Sequence, residues 1–283
     1  MDTGFYNSLG NYTLESRCGI AAELGFADTY VTLWSPEAWE DLKQLKTVPA
    51  KHGLGVAAVY NIVKIEQLDD PDEALQKVEE ILAHLPEEAV LELAVNRAPE
   101  GKFGCSEEAG DAVFLPFLEQ VLGRAEDSGH TVSLYPHVDF WLERIEDATR
   151  ICRKLDHPRL GLNFNAFHWF TLDGKGLDEK LRDAAPYLKL ATLNGSRQPA
   201  PDERATLEPL DRGELDLFTV LGALRREAGF RGKIGFQGYS WGGDIYAKLQ
   251  RSITYFREME ARLNKHPDWA ILNREPHRPL RRR

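Results

Sequence analysis

Short apolar runs alternate with longer amphipathic stretches from one end of the chain to the other. This alternation is typical of repeated strand and helix units, which build a parallel sheet covered by helices. The helical pattern at residues 69–85, for example, places Val78, Ile81 and Leu82 on one face. The pattern predicts strands at residues 4–8, 28–34, 56–62, 89–94, 130–136, 160–165, 187–193 and 233–237.

Capping and turn residues mark where the helices begin and end. Thr13 is a suitable N-cap for a helix that stops before Gly25, and Pro36 suits the first turn of the next helix. Helices are predicted at residues 13–24, 36–52, 69–85, 111–128, 145–155, 215–228 and 244–263.

Eight strands linked by helices favour an α/β fold closed into a (β/α)8 TIM barrel. A right-handed crossover repeated eight times returns the chain to its first strand. An open doubly wound sheet is the alternative, but it requires a glycine-rich phosphate loop, and neither G-x-G-x-x-G nor G-x-x-x-x-G-K-[ST] occurs. We expect a single barrel domain over residues 1–265 and a C-terminal extension over residues 266–283.

The charge balance of the chain argues against a nucleic-acid partner. Its 45 acidic residues outnumber its 35 lysines and arginines, which gives a formal net charge of −10. Phosphate binding requires clustered basic side chains, and the basic run here is confined to residues 281–283 at the chain end. A solvated terminus is favoured there over a polybasic contact surface.

Cysteine usage indicates a reducing compartment, and the hydropathy pattern predicts no membrane span. Cys18, Cys105 and Cys152 are odd in number and lack C-x-x-C or zinc spacing, so they predict neither a disulfide framework nor a thiolate metal site. No apolar stretch approaches the ~20 residues that cross a bilayer. We therefore expect a cytoplasmic protein without a membrane partner, and the sequence leaves association into a homo-oligomer open.

Polar and aromatic side chains gather where the predicted strands end. Functional residues of a barrel lie at the carboxyl ends of its strands. Amides and hydroxyls donate and accept hydrogen bonds while aromatic faces cover C–H surfaces, so this set suits a small polyhydroxylated ligand. The alternative is that some of these residues only cap strands and loops. The predicted ligand contacts are Trp34, Tyr60, Asn61, Asn163, Asn165, Thr192, Asn194 and Tyr239.

Five segments resemble, in order, motifs of the xylose isomerase-like family of sugar isomerases, epimerases and inosose dehydratases. The family's fifth-strand E-N-H motif resembles SLYPHVDFW, its G-x-x-x-D-x-x-H motif resembles LGLNFNAFH, and its H-x-x-D motif resembles ATLNGS. The P-x-G-x-G-x-x-D loop is similar to LEPLDRGELDLFTVL, and G-Y-x-G-x-x-x-x-E is similar to GFRGKIGFQGY. The resemblance covers nearly the whole chain and implies a xylose isomerase-like barrel.

The resemblance also implies a divalent cation site, whose ligand positions have changed in this chain. Most family members hold Mn, Mg, Co or Zn with Glu, Asp, His and Glu from strands five to eight. The matching positions here are Tyr135, Asn165, Thr192 and Gln237. Because neutral amides and hydroxyls lack the anionic charge that favours Mn²⁺ or Mg²⁺, we expect the cation to be absent or weakly bound.

Two histidines lie where the resemblance places family histidines, and they are the candidate acid and base. Imidazole titrates near neutrality, so His137 and His168 can move protons or bind a sugar hydroxyl without a metal. A structural hydrogen bond in the loop layer is the alternative for each ring. Tyr135 can donate to a developing oxyanion, and Gln237 can polarise or position an oxygen atom, which completes the predicted catalytic set.

These observations predict a sugar isomerase or epimerase that transfers a proton next to the carbonyl of a small sugar or keto-sugar. The alternative is a non-catalytic carbohydrate-binding protein on the same barrel, in which the changed ligand positions mark lost chemistry. A DNA-repair endonuclease on this barrel requires clustered metal ligands and a basic groove, and the sequence offers neither.

Overall fold

The computed structural model describes residues 3–10, 12–197 and 205–271. A curled parallel sheet forms its centre, with seven strands in the order β1, β2, β3, β4, β5, β6 and β9. The strands β7 and β8 form a separate antiparallel hairpin. The strands are β1 (Asp28–Thr32), β2 (Gly55–Lys64), β3 (Val90–Asn96), β4 (Thr131–Leu134), β5 (Leu160–Asn165), β6 (Leu188–Leu193), β7 (Gly195–Arg197), β8 (Thr206–Glu208) and β9 (Lys233–Phe236).

Helices follow most of the strands and cover the outer face of the sheet. Their apolar sides pack on the strands in one continuous core, as expected for a parallel sheet built from strand and helix units. The helices are α1 (Thr3–Tyr6), α2 (Leu14–Glu23), α3 (Pro36–Leu42), α4 (Val48–His52), α5 (Asp72–His84), α6 (Asp111–Asp127), α7 (Ile145–Leu155), α8 (Ala166–Leu172), α9 (Leu177–Ala184), α10 (Leu217–Arg226) and α11 (Ile245–Lys265).

The alternation of strand and helix confirms the barrel class that the sequence predicts. The seven paired strands correspond to the second to eighth predicted strands, and α7 has the predicted bounds, residues 145–155. Thr13 caps α2 as expected, since its hydroxyl accepts the Ser16 N–H at 3.2 Å. The sequence pattern did not predict α8, α9 or the β7–β8 hairpin.

The prediction of a strand at residues 4–8 is wrong. Residues Thr3–Tyr6 form the one-turn helix α1, and the Ser8 N–H closes a turn on the Phe5 carbonyl at 3.2 Å. Asn7 and Ser8 favour turns over strands because their side chains compete for backbone hydrogen bonds. The segment therefore adds no strand between β9 and β1 within the described residues.

Side-chain contacts join β9 to β1 where the ring would otherwise close through a strand. The Lys233 ammonium lies 2.7 Å from the Asp28 carboxylate, which links the first residues of the two strands. At the other end, Tyr6 donates to the Thr32 carbonyl at 3.2 Å, and the Asn7 side chain accepts the Ser240 N–H at 2.8 Å. The N-terminal segment thus bridges the carboxyl ends of β9 and β1.

The prediction of a single helix at residues 36–52 is also wrong, because this stretch forms two helices. A 3-10 turn at Leu45–Thr47 separates α3 from α4. Pro49 has no N–H to donate to an upstream carbonyl, so it is tolerated only in the first turn of a new helix.

The residues after α11 pack on the barrel as far as the structure describes them. Ala270 is fully buried, and a Cβ added at Gly222 of α10 would lie 2.3 Å from the Ala270 methyl. The domain boundary at residue 265 stays a prediction, and the predicted extension from residue 272 onward lies outside the described residues. Within residues 3–10, 12–197 and 205–271, no helix is both long enough and apolar enough to span a membrane.

Candidate active site

One cavity of about 1200 Å³ opens among the carboxyl ends of the strands and continues into the barrel. It extends inward along the gap between β1 and β9 as far as Asp28 and Lys233. Nine of the residues singled out from the sequence line it together, namely Trp34, Tyr60, Tyr135, His137, Asn163, His168, Thr192, Gln237 and Tyr239.

The remaining three predicted ligand contacts lie elsewhere. Asn61 has the opposite strand parity to the cavity-lining Tyr60, and its buried amide nitrogen has no hydrogen-bond acceptor among the described residues. Asn194 is fully buried and donates to the Gly195 carbonyl at 2.8 Å and the Ser196 hydroxyl at 2.7 Å. Asn165 does not line the cavity, but its side chain bonds to the cavity-lining Tyr135 and Gln237 and to the first turn of α8.

The backbone of Val138 bonds to both candidate histidines. His137 Nδ1 lies 2.7 Å from the Val138 carbonyl oxygen, so this nitrogen carries a proton and donates it. His168 Nδ1 accepts the Val138 N–H at 3.3 Å, so the proton of its neutral ring is on Nε2. When both rings are neutral, their tautomers are therefore opposite: Nε2 accepts in His137 and donates in His168.

Burial keeps the His168 ring neutral. The side chain is 2% exposed, and its Nε2 has no acceptor among the described residues although the ring lines the cavity. Burial, with a smaller contribution from His137, lowers the pKa of His168 well below its usual range. The His137 ring lies against it, with centroids 4.1 Å apart, and stacks on Phe140 at 4.0 Å.

Three of the positions that the family resemblance relates to metal ligands bond to one another. The Asn165 amide donates to the Tyr135 hydroxyl at 2.5 Å and to Gln237 Oε1 at 2.8 Å. The Asn165 carbonyl oxygen accepts the Phe167 N–H at 2.9 Å and the His168 N–H at 3.2 Å, which caps α8. These two backbone donors fix which way the Asn165 amide points.

Aromatic rings form a connected row from the outer rim into the barrel. Tyr6, Trp34 and Tyr239 are more than a third exposed at the rim, and the Trp34 ring centroid lies 6.0 Å from Tyr6 and 5.6 Å from Tyr239. Trp34 also contacts the buried Tyr60 at 6.4 Å, and Tyr60 contacts Tyr135 at 4.9 Å. The row gives the cavity an aromatic wall with polar groups at its inner end.

Comparison with known proteins assigns the chain to a family. Residues 18–259 match the xylose isomerase-like TIM barrel family over most of the chain. The chain belongs to that family. Of the curated proteins, none matches the sequence.

Solved structures of very low sequence identity share the xylose isomerase-like fold. An L-ribulose 3-epimerase is 14% identical with a TM-score of 0.72, covering 96% of this chain and 98% of the other. The 3-keto-D-glucoside 4-epimerase of E. coli is 17% identical with a TM-score of 0.69, covering 88% and 96%. The IOLI protein with a bound zinc atom is 17% identical with a TM-score of 0.70, covering 90% and 94%.

This xylose isomerase-like barrel also contains a buried carboxyl group that the sequence analysis missed. Glu92 on β3 is fully buried; it accepts from the Tyr30 hydroxyl at 2.5 Å and from the Asn163 amide at 2.7 Å. The same amide nitrogen lies 2.9 Å from the Thr192 hydroxyl. The sequence signal was a single charged residue inside the apolar run VLELAVN, away from the strand ends where candidates were sought.

Proposed function

We propose that this barrel is a sugar isomerase or epimerase that moves a proton on the carbon next to the carbonyl of a sugar or keto-sugar. The observation that carries the proposal is the pair of imidazoles held in opposite tautomers by Val138 at the cavity wall. Such chemistry requires a base for the carbon-bound proton and a donor for the oxygen that gains negative charge. Sugar epimerases with the same fold support the choice of substrate class.

Each ring has a distinct task in this proposal. His137 Nε2 removes the proton from carbon, and the neutral His168 donates its Nε2–H to the carbonyl oxygen as negative charge develops there. Tyr135 and Gln237 position oxygen atoms through the bonds that Asn165 makes to both. Asn163 and Thr192 line the same cavity and orient hydroxyl groups of the sugar.

The groups at the family's ligand positions do not fit a divalent cation. The Asn165 carbonyl oxygen, which is the atom able to coordinate, is already bonded to two backbone N–H groups. Gln237 Oε1 accepts from Asn165, and none of these side chains is anionic. We therefore propose that proton transfer here proceeds with side chains alone.

Deuterium exchange tests the proposal. Purified protein is incubated in D₂O with aldoses, ketoses and keto-sugars, and loss of the C–H signal next to the carbonyl is followed by NMR. We expect exchange with at least one sugar and its reduction by at least about 100-fold in His137→Ala and His168→Ala. His52→Ala on α4 is the matched control and should exchange at the wild-type rate.

The same experiment separates the enzyme from a non-catalytic carbohydrate-binding protein. Saturable sugar binding without exchange in the wild type would favour the binding protein and contradict the proposed reaction. Exchange that persists unchanged in both histidine variants would assign the chemistry to other groups.

A further inference from the structure

Glu92 lies at the centre of the barrel wall with neutral hydrogen-bond partners. On neighbouring strands it is in register with Tyr60 of β2 and Ser133 of β4, and Tyr60 lines the cavity. Each of its carboxyl oxygens has one donor, Tyr30 Oη for Oε2 and Asn163 Nδ2 for Oε1. Burying an ionised carboxyl group among neutral partners is costly, and protonation removes that cost.

Tyr30 connects this carboxyl group to the cavity. Glu92 itself has no exposed surface, whereas Tyr30 and Asn163 line the cavity wall. When Glu92 is ionised, the Tyr30 hydroxyl donates to it and offers only lone pairs to a ligand. When Glu92 is protonated, its O–H can donate to Tyr30 Oη, and the Tyr30 hydroxyl proton can turn to the cavity.

We propose that Glu92 and Tyr30 form a second proton-transfer site, separate from the histidine pair, for a carbonyl or hydroxyl oxygen of the bound sugar. The inference rests on the proposed function for its substrate. His168 hydrogen-bonds the enolate oxyanion as it forms, and Tyr30 gives this oxygen its hydroxyl proton while Glu92 gives its own proton to Tyr30 Oη. The products are an enol, a neutral tyrosine and the Glu92 carboxylate, and the reverse steps return the proton.

Glu92 is the group of this cluster whose charge changes near neutral pH, because the tyrosines that face it stay neutral. Burial raises the pKa of Glu92 to about 7, although the bonds from Tyr30 and Asn163 act in the opposite direction. Burial also raises the pKa of Tyr30, Tyr60 and Tyr135, so these phenols remain neutral. A relay through Tyr30 therefore needs no tyrosinate.

The pH dependence of deuterium exchange tests the relay in the full-length chain. We expect the wild-type kcat/KM profile to bend near neutral pH and the bend to be absent in Glu92→Gln, which keeps the side-chain shape but does not titrate. Tyr30→Phe should lower kcat/KM by at least about tenfold. Ser133→Ala is the matched control, since its buried hydroxyl neighbours Glu92 in register and has no partner among the described residues.

Direct titration of the carboxyl group separates failure of the relay from failure of the proposed function. Difference infrared spectra from pH 5 to 9 should show a protonated carboxyl band in the wild type that titrates near neutrality, shifts in Tyr30→Phe and is missing in Glu92→Gln. Sugar exchange with the same pH profile in the wild type and Glu92→Gln would overturn the relay while leaving the reaction in place. If no sugar exchanges, a titrating carboxyl band that shifts in Tyr30→Phe still supports the Glu92–Tyr30 pair. A Glu92 that keeps one protonation state from pH 5 to 9 overturns the pair.

Discussion

The ring centroids of His137 and His168 lie 4.1 Å apart. Val138, which directly follows His137, bonds to both rings through its backbone. A carbonyl oxygen can only accept and an N–H can only donate, so the two contacts select opposite tautomers. Two chemically identical side chains thereby differ in hydrogen bonding, because Nδ1 donates in His137 and accepts in His168.

The first prediction concerns the protonation of His168. Burial lowers its pKa well below the usual value, so the folded ring should stay neutral, with its proton on Nε2, between about pH 5 and pH 8. The unfolded ring protonates near pH 6.5, so this group should reduce stability as the pH falls below about 6.5. Two-bond ¹H–¹⁵N NMR of histidine-labelled protein measures both the tautomer and the titration. A His168 ring that titrates at its unfolded value would contradict the assignment.

The second prediction concerns Asn165 as the N-cap of α8. Its carbonyl oxygen accepts two backbone N–H groups, and Asn165→Ala would leave both buried without a partner. We expect Asn165→Ala to lower the free energy of unfolding by about 1–2 kcal/mol and Asn165→Ser, which keeps an acceptor at the cap position, to lower it less. Both variants lose the amide bonds to Tyr135 and Gln237, so their difference in urea unfolding measures the cap, and equal stability would show that the cap contributes little.

The third prediction is a pH-dependent stability difference at Glu92. Its folded pKa of about 7 lies above the unfolded value, so its ionisation costs stability as the pH rises from about 4.5 through 7. Relative to Glu92→Gln, the wild type should lose roughly 2 to 3 kcal/mol between pH 5 and pH 8. Urea unfolding of both proteins at the two pH values measures this change. A stability difference that is the same at both pH values would show that the carboxyl group does not titrate in this range.

The fourth prediction concerns the aromatic rim. Trp34 and Tyr239 are 42% and 44% exposed, so replacing either with Ala should remove the proposed ligand contacts at little cost to the core. We expect each variant to raise KM about 2- to 10-fold with kcat unchanged, because stacking binds the substrate and transition state equally. Trp269→Ala is the matched control, since Trp269 is 63% exposed and does not line the cavity. Unchanged KM in both rim variants would remove the aromatic wall from substrate binding.

Local patterns were sufficient to predict most of the barrel. Residues 160–165 form β5 as predicted because their apolar residues recur at every second position, which is the period of a strand. Residues 4–8 include Phe5 and Tyr6, which favour strands, yet the segment forms a helical turn. The turn preference of Asn7 and Ser8 is local, whereas the contacts that hold the segment against β9 and β1 are not.

The candidate site was predictable where topology alone gathers residues, and less so where orientation decides. Strand ends meet at one face of a barrel, so Tyr135, His137 and Gln237 could be grouped without coordinates. Asn61 lies beside Tyr60 in sequence, but the strand period of two turns it away from the cavity, and its parity could not be read from the pattern. Glu92 lies in the middle of its strand, so a search of the strand ends did not reach it.

In the proposed reaction, side chains move the proton without a divalent cation. The most direct test is deuterium exchange by protein treated with EDTA, accompanied by metal analysis of the same sample. We predict that exchange continues at the untreated rate with less than stoichiometric metal present. Exchange that is abolished by EDTA and restored by added Mn²⁺ would contradict the account.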